Sequence, residues 1–410
     1  MGLDSAPRKV KAAAPAFGTK LTPTFNFIPI MRLLHVMPHL PGGSEVWLDR
    51  MIRLLRDETA ALVVEGAADD RYSSLPIERL YPRQPLWWRL LNRLGIRCRR
   101  PKAILPGMHD NLRRVVEKYQ ADTVLVHYLN FAVELLPALE SIGCRQIYHL
   151  HGYDATWDFR EYSSPETLKF PADYPERVRR LSQCGTILAN SSFMEQRVLD
   201  LGVSKDRVAV KYFGVERYPE PTAKRKNQLL YIGRLVEFKG PGLVIKMFER
   251  ACELGFAGEL RMLGDGYLME ECRQLRERSD VAHRIHLEGM ASPESCSAAF
   301  DECSLFVTHN IEGPKTRQSE AFGVAFLEAL AHGLPVVSTR SGGIPEIVVD
   351  GECGLLSDPF DLETQARNVV RLQNDPKLWA TMASRARDRA QEKFTFEQEK
   401  ARLCQILREP

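Results

Sequence analysis

Two glutamates stand eight residues apart in a stretch of mostly small and apolar residues. The stretch reads SEAFGVAFLEALAHGLPVVST from position 319 to 339, with Glu320 before a helical pattern and Glu328 inside it. A helix start exposes backbone N–H groups that can hold a phosphate, whereas a carboxylate repels phosphate and accepts hydrogen bonds from hydroxyls. The spacing therefore suggests a diphosphate on the amides near Phe322, Gly323 and Val324, with sugar hydroxyls on the two glutamates.

An ordinary helix cap explains the same spacing. In that interpretation Glu320 satisfies the first amides of the helix, and Gly333 takes the position just after its end. Spacing alone favours this simpler interpretation. The choice therefore depends on the elements around the stretch.

Short apolar runs with strand character alternate with amphipathic helical patterns along most of the chain. One series runs from MRLLHVMPHL to RVAVKYFG, and a second runs from LLYIG to LPVVST. This alternation predicts an α/β fold of parallel, doubly wound sheets, whose ligands bind outside the carboxyl ends of the strands. The segment ERYPEPTAKRKNQ breaks the pattern with prolines and charges, so we expect two domains with a cleft between them.

The composition excludes several classes of protein. The 410 residues exceed one typical core, and the net charge of +3 does not argue for a nucleic-acid partner. The nine cysteines include no C-x-x-C pair, which fits a reducing compartment without a disulfide framework. No run of 18 apolar residues occurs, and the N-terminus lacks the apolar region of a secretory signal. We therefore expect a cytoplasmic protein with no nucleic-acid partner.

The segment EAFGVAFLE (320–328) resembles a family signature in which two glutamates are separated by seven residues. It is found in retaining glycosyltransferases with the two-domain GT-B fold, in particular glycosyltransferase family 4. Five other segments resemble that family in the same order along the chain: PGGSE (41–45), HGYDAT (151–156), YIGRLVEFKG (231–240), LGDG (263–266) and LPVVSTRSGGIPEIVVDGECGLL (334–356). The run NIEGPKTRQS (310–319) departs from the family pattern, because it is longer and more basic than a minimal version.

The resemblance implies transfer of a sugar from a nucleotide diphospho-sugar to an acceptor, with retention at the anomeric carbon. Glu320 matches the family glutamate that contacts the donor sugar, and Glu328 matches the one that commonly binds the ribose. Arg234 and Lys239 match the two basic residues that bind the donor diphosphate. Two cations there can neutralise a departing diphosphate, although taken alone they also fit a solvated loop.

Three further positions follow from the resemblance. His151 matches an N-domain histidine near the transferred sugar, and His149, two residues earlier on the same side of the strand, is the alternative. Gly43 would let the first loop approach the diphosphate closely. Asp265 lies in a glycine turn and is a weaker candidate for donor binding.

No metal or resident cofactor is expected. No D-x-D motif stands at a strand end to hold magnesium, and Arg234 and Lys239 supply the positive charge that the leaving group needs. The nucleotide diphospho-sugar is then a co-substrate, and the acceptor is a carbohydrate or a lipid-linked molecule.

The composition and the alternation of strands and helices give the expected domain boundaries. We expect a basic, poorly ordered tail, an N-terminal Rossmann-like domain on the acceptor side, a linker, a C-terminal domain that binds the donor, and a last helix packing back on the N-terminal domain. These are residues 1–30, 31–217, 218–228, 229–390 and 391–410, in that order.

One segment is not explained by the fold. RQPLWWRLLNRLGIRCRRPK (83–102) has seven basic residues, two tryptophans and no acid. On a helix its arginines lie close in angle and its apolar side chains lie opposite, which suits an anionic membrane surface. The residues concerned are Trp87, Trp88, Arg89, Arg93 and Arg97. A surface helix whose apolar side packs on the N-terminal domain fits equally well.

The leading hypothesis is a metal-independent, retaining hexosyltransferase of cell-surface polysaccharide or glycolipid assembly, cytoplasmic and peripheral at the inner membrane face. The first alternative is a nucleotide-sugar 2-epimerase, which shares the two-domain fold. The second is a non-catalytic nucleotide-sugar-binding protein, and the presence of Glu320, Arg234 and Lys239 argues against it.

Overall fold

A computed structural model describes residues 31–42, 45–65, 70–80, 105–156, 170–220 and 225–409. The expected basic tail (1–30), Gly43 and the basic segment at 83–102, with Trp87, Trp88, Arg89, Arg93 and Arg97, lie outside the described residues. Among the described helices, none is both long and apolar enough to cross a membrane.

Seven parallel strands form the sheet of the first half, within the described residues. They are β1 (Leu33–Met37), β2 (Thr59–Val64), β3 (Ile77–Arg79), β4 (Thr123–His127), β5 (Arg145–His149), β6 (Thr186–Ala189) and β7 (Val208–Val210). Their order is β3-β2-β1-β4-β5-β6-β7. The central strands β1 and β4 are buried along their whole length, as expected for a parallel sheet with helices on both faces.

The described helices of this half connect the strands. They are α1 (Val46–Leu54), α2 (Leu105–Tyr119), α3 (Leu129–Leu139), α4 (Tyr153–Thr156), α5 (Tyr174–Cys184) and α6 (Ser192–Leu199). The side chain of Ser191 caps α6 by accepting a hydrogen bond from the amide of Met194 (3.0 Å).

Six parallel strands form the sheet of the second half. They are β8 (Gln228–Ile232), β9 (Glu259–Leu263), β10 (Ile285–Gly289), β11 (Leu305–Val307), β12 (Val336–Thr339) and β13 (Gly354–Ser357). Their order is β10-β9-β8-β11-β12-β13. In both sheets the order reverses beside the first strand, and this switch point is where α/β sheets bind ligands.

The helices of the second half include three at the C-terminus. They are α7 (Pro241–Glu253), α8 (Met269–Glu277), α9 (Pro293–Glu302), α10 (Val324–Ala331), α11 (Ile344–Ile347), α12 (Leu362–Asn374), α13 (Pro376–Lys393) and α14 (Phe396–Arg408). Thr395 begins α14 with a capping box, in which its side chain and that of Gln398 satisfy two backbone amides.

Helix α14 lies against the first sheet. The ammonium of Lys211, just after β7, donates to Glu399 of α14 (2.6 Å), and both side chains are buried. The guanidinium of Arg145 on β5 donates to the carbonyl of Ile406 (2.8 Å). The end of the chain is therefore held to the half of the molecule in which the chain begins.

The predicted fold class is confirmed: two Rossmann-like parallel sheets follow one another along the chain. The sequence analysis missed β3 and β13, which are three and four residues long. The strand β3 has one apolar residue, Ile77, and β13 has only Leu355 and Leu356, so neither shows the apolar run that marked the equally short β7 and β11.

Candidate functional site

The loop after β8 carries the two predicted phosphate-binding cations. Lys239 ends a short 3₁₀ turn, and its ammonium contacts the carboxylate of Glu320. Arg234 is exposed, and among the described residues its guanidinium makes no hydrogen bond or ion pair; it lies 5.9 Å from the ring of Phe238. The loop therefore presents one cation that is paired at the site and one that is available to a ligand.

Glu320 is buried and lies between two donors. Its Oε2 atom contacts Lys239 and accepts a hydrogen bond from the side-chain amide of Asn310 (3.0 Å). Helix α10 has no side-chain cap. The capping interpretation of Glu320 is therefore wrong, because the carboxylate is directed towards the β8 loop and not towards the amides of the helix.

The start of α10 is an open backbone segment. Gly323 stands before the helix with φ of 100°, and a Cβ there would lie 2.6 Å from the ring of Phe326. The amides of Phe322, Gly323 and Val324 donate to no acceptor among the described residues. Three N–H groups thus lie two to four residues along the chain from Glu320, the carboxylate that pairs with Lys239. As predicted, α10 is followed by a glycine with positive φ, Gly333 (67°).

Glu328 lies on α10, eight residues after Glu320, which precedes the helix. Its carboxylate is half-buried and makes no hydrogen bond among the described residues. Burial raises its pKa to about 6, with Arg50 of α1 as the opposing influence. Hydrogen bonds from the hydroxyl groups of a ligand would stabilise the charged form of this carboxylate.

Asp265 stands in a tight turn beside the β8 loop. A Cβ on Gly264 would lie 2.0 Å from the carbonyl oxygen of Gly233, so the two loops require glycine at their point of contact. The carbonyl of Asp265 accepts from the amide of Leu235 (2.9 Å), while its side chain bonds only the next amide and is exposed. Asp265 therefore supports the loop that carries Arg234.

On the N-terminal side, histidines collect at the ends of β4 and β5. His127 and His149 are paired in the ladder, and His151 follows β5. The rings of His149 and His151 have their centroids 4.2 Å apart, and the ring of Trp47 stacks on His151 at 4.0 Å. Burial lowers the pKa of all three histidines well below the usual value, so they are neutral near pH 7.

Asp154 fixes the loop that carries His151. It is fully buried, and its carboxylate accepts from the amides of Leu129, His151 and Gly152, each at 2.9 Å. Burial raises its pKa to about 6, and the three amides act in the opposite direction. The carboxylate thereby joins the end of β5 to the start of α3.

A second acid, Glu45, stands at the start of α1 beside the first glycine loop. Its carboxylate contacts the Tyr128 hydroxyl, lies 3.0 Å from the His39 ring and accepts from the amide of Gly42 (2.9 Å). Burial acts to raise its pKa, but the bonds from His39, Gly42 and Tyr128 outweigh it and lower the pKa to about 2. Tyr128 is a non-glycine residue at φ 70°, a strained conformation typical of functional sites.

The loop that carries His151 contacts the segment that carries Glu320. A Cβ on Gly152 would lie 3.0 Å from that of Ala321, and the Ser191 hydroxyl donates to the carbonyl of Ala321 (2.5 Å). The start of α6 also donates two amides to Glu346 of α11, from Ser192 (2.8 Å) and Phe193 (2.7 Å). His151 and Glu320 are therefore carried by touching loops from the two halves of the chain.

The structure thus places the predicted residues in three groups. Lys239, Glu320 and the amides of 322–324 form one group, His151 and His149 form another on the facing loop, and Glu328 lies along α10. Sequence reasoning missed several neighbours that complete these groups: Glu45, Trp47, His127, Tyr128, Asp154 and Asn310. The signal available for Glu45, Asp154 and Asn310 was that each stands in or beside a quoted motif, whereas nothing marked Trp47.

The chain has two parallel sheets in tandem. A basic loop, a buried glutamate and open helix amides lie at the ends of the strands. This arrangement is that of the two-domain, GT-B-type proteins. Solved structures share this fold. HepE from Anabaena, in complex with UDP, aligns with a TM-score of 0.70 at 20% identity, over 92% of this chain and 99% of that one. Sucrose-phosphate synthase from Thermosynechococcus elongatus gives 0.70 at 17% identity, over 92% and 98%.

Family comparisons cover most of the chain. Residues 41–217 match Glycosyltransferase Family 4, and residues 215–389 match Glycosyl transferases group 1. The putative colanic acid biosynthesis glycosyltransferase WcaL of Escherichia coli is 27% identical over 72% of this chain and 73% of its own. A GDP-mannose-dependent phosphatidylinositol monomannoside mannosyltransferase of Mycolicibacterium smegmatis is 24% identical over 74% and 80%. The chain belongs to the family 4 type of GT-B glycosyltransferases and is an enzyme of that class.

Proposed function

We propose that this enzyme transfers a hexose from a nucleotide diphospho-sugar to an acceptor hydroxyl, with retention at the anomeric carbon and without a metal. The observation that carries the proposal is the convergence of Lys239, Glu320 and Asn310 beside the loop that leads to the open amides at the start of α10. This arrangement suits a ligand that carries both phosphates and hydroxyls.

The β8 loop and α10 divide the work on the donor. Arg234 and Lys239, with the amides of 322–324, bind the diphosphate and stabilise its charge as the sugar leaves. Glu320 positions the transferred sugar, and Glu328 accepts hydrogen bonds from the ribose. His151, held by Asp154 and Trp47, meets the sugar from the opposite loop.

The names of similar proteins support a nucleotide-sugar donor and an acceptor of cell-surface assembly. HepE has been crystallised with UDP and with UDP-glucose, and the similar enzymes named above act in colanic acid biosynthesis and on a phosphatidylinositol mannoside. We propose a carbohydrate or lipid-linked acceptor, reached at the inner face of the membrane.

A donor screen tests this function. The purified protein is incubated with a set of labelled UDP-, GDP- and ADP-sugars, with and without an extract of lipid-linked and polysaccharide acceptors, and released nucleoside diphosphate is measured. We expect release to depend on acceptor and on one donor, and to persist in EDTA. The anomeric configuration of the product, determined by NMR, tests retention.

The same assay separates the alternatives. An epimerase converts the donor sugar without any acceptor, and a binding protein leaves every donor intact while still binding a nucleoside diphosphate. Either result would contradict transfer.

A further inference from the structure

Three imidazoles meet at the carboxyl edge of the first sheet. His127 ends β4, His149 ends β5 and pairs with it in the ladder, and His151 follows in the next loop. One nitrogen from each ring lies within 4.8 Å of the other two. The parallel register of two adjacent strands therefore produces a group of three nitrogen ligands.

Most of the nitrogens in this group have no partner in the part of the chain that the structure describes. Nδ1 of His127 and both ring nitrogens of His149 and His151 are buried, and none of them is hydrogen-bonded to a described residue. A neutral imidazole carries one donor and one acceptor, and a buried polar atom without a partner destabilises the folded protein. Each neutral ring offers one lone pair, so the three rings together point to a ligand that accepts three nitrogen lone pairs.

The neighbours of the rings suit metal binding. Nε2 of His127 lies 2.9 Å from Nδ1 of His35, so it can donate its proton there and leave Nδ1 for the group. Ligating histidines almost always donate their second nitrogen in this way. Trp47, stacked on His151 at 4.0 Å, restricts that ring from the α1 side.

One nearby positive charge, that of Lys211, would repel a bound metal ion, but a carboxylate neutralises it. Lys211 lies close enough to His151 to act on its protonation. Its ammonium is bonded to the carboxylate of Glu399 (2.6 Å) and lies 3.9 Å from the ring of Phe213. The pair is neutral as a whole, so the site does not face an isolated positive charge.

We propose that His127, His149 and His151 form a zinc site with three protein ligands and one open position. Three imidazoles suit Zn²⁺ and do not suit the oxygen-preferring Mg²⁺ or Ca²⁺. Tetrahedral zinc holds its ligand nitrogens about 3.3 Å apart, so the rings close by at most about 1.5 Å on binding. The ion is bound apart from the diphosphate cations of the β8 loop and is not needed for the transfer. Each ring ligates it through one nitrogen, so His151 keeps its other nitrogen for the transferred sugar. The inference does not rest on the proposed function.

Metal binding is measured on the full chain after EDTA treatment and removal of the chelator. Zn²⁺ is titrated in competition with a chromogenic chelator, and bound metal is counted by mass spectrometry after dialysis. We expect one equivalent of zinc with no competition from a hundredfold excess of Mg²⁺. Co²⁺ in place of zinc should give the strong visible absorption of four-coordinate cobalt without a thiolate charge-transfer band, which excludes the cysteines as ligands.

Two variants decide whether the histidines hold the ion. His149→Gln and His151→Gln should each weaken zinc binding by at least about tenfold, while His283→Gln, at an exposed histidine, should bind as the wild type does. If buried His149→Gln does not fold, half-exposed His151→Gln decides alone, with its melting temperature as the check. Less than one equivalent of zinc, or unchanged affinity in a folded His151→Gln, would overturn the proposal.

Discussion

Lys239 is the residue in which burial and charge most directly suggest a role. Its ammonium is mostly shielded from solvent and contacts the buried carboxylate of Glu320. The same ion pair orders both groups before a ligand arrives. A diphosphate that binds here meets an ammonium group that is already in position, so little rearrangement of the protein is needed during the reaction.

Lys239→Ala should lower turnover by on the order of 10²-fold and weaken nucleoside diphosphate binding, because it removes a charge next to the leaving group. The change is measured as kcat and as the Kd for the diphosphate. Lys246→Ala, in helix α7, is the matched control and should behave as the wild type. Unchanged kinetics for Lys239→Ala would reject its assignment to the diphosphate.

The two glutamates should respond differently to substitution. Glu320→Gln keeps the shape but removes the charge that we propose lies near the transferred sugar, so it should reduce kcat more than donor affinity. Glu328→Ala should mainly weaken donor binding, by about 1–3 kcal/mol for a buried acceptor of hydroxyls. Calorimetric binding of the donor and steady-state rates separate the two effects. Equal losses accompanied by equally lowered melting temperatures would instead indicate that both glutamates are structural.

Glu328 should also make stability depend on pH. Burial raises its pKa from an ordinary 4.5 to about 6, so the folded protein holds a proton that the unfolded chain has already released. The free energy of unfolding therefore falls as pH rises from 4.5 to 6, by at most about 2 kcal/mol, and stays lower above that range.

Glu328→Gln removes this titration, so its stability relative to the wild type should rise by up to about 2 kcal/mol between pH 4.5 and 7.5. Urea denaturation at the two pH values measures the difference. Glu277→Gln, at an exposed glutamate, should differ from the wild type in stability by the same amount at both pH values. A flat result for Glu328→Gln would show that its carboxylate is not held in a desolvated place.

At the scale of elements, two loops of the second half come into close backbone contact because one of them has glycine at the contact. Gly342 has φ of 58°, and a Cβ there would lie 2.1 Å from the carbonyl oxygen of Glu320. The amide of Gly343 donates to that same carbonyl (2.9 Å). The backbone of Glu320 is therefore fixed from the loop after β12, and its side chain is directed at Lys239.

The basic segment at 83–102 supports a separate prediction, from its sequence alone. If it docks on membrane, the protein should co-sediment with anionic vesicles and be partly released as salt rises, since each cation contributes about 1 kcal/mol and is screened. The tested variant changes Arg89, Arg93 and Arg97 to Gln and Trp87 and Trp88 to Ser. Equal binding by a stable variant, or no binding by the wild type, would reject the membrane interpretation and favour a helix packed on the protein.

At the scale of the whole molecule, the last helix stabilises the first sheet through one buried ion pair. Lys211 and Glu399 are fully or nearly fully buried, and Glu399 also accepts from the amide of Gly214 (2.8 Å). Burial lowers the pKa of Lys211, with Glu399 opposing this effect. The lysine therefore depends on its partner to remain charged.

Glu399→Gln should destabilise the protein by about 3–5 kcal/mol, because it leaves a buried ammonium without its counter-charge. Asp173→Asn, which breaks an exposed pair with Arg177, should cost at most about 1 kcal/mol. Urea denaturation compares the two. If both variants lose the same small amount of unfolding free energy, the buried ion pair stabilises the protein no more than an exposed pair does.

The sequence by itself determined the fold class and identified the segments that carry the candidate site in the second half. The alternation of apolar runs and amphipathic helices predicted two parallel sheets, because both patterns are local. The glutamate signature, the β8 loop and the glycine before α10 were likewise found within short segments. Their chemistry depends on residue type and on a helix start, which neighbouring residues specify.

Only the tertiary structure decided which side chains face one another. Asn310 meets Glu320, Trp47 stacks on His151, and His127 joins His149, through strand order and register. Trp47 and His151 are about a hundred residues apart, and no local pattern relates them. Their contact exists because parallel strands bring their carboxyl ends to one edge, where helix α1 packs across them.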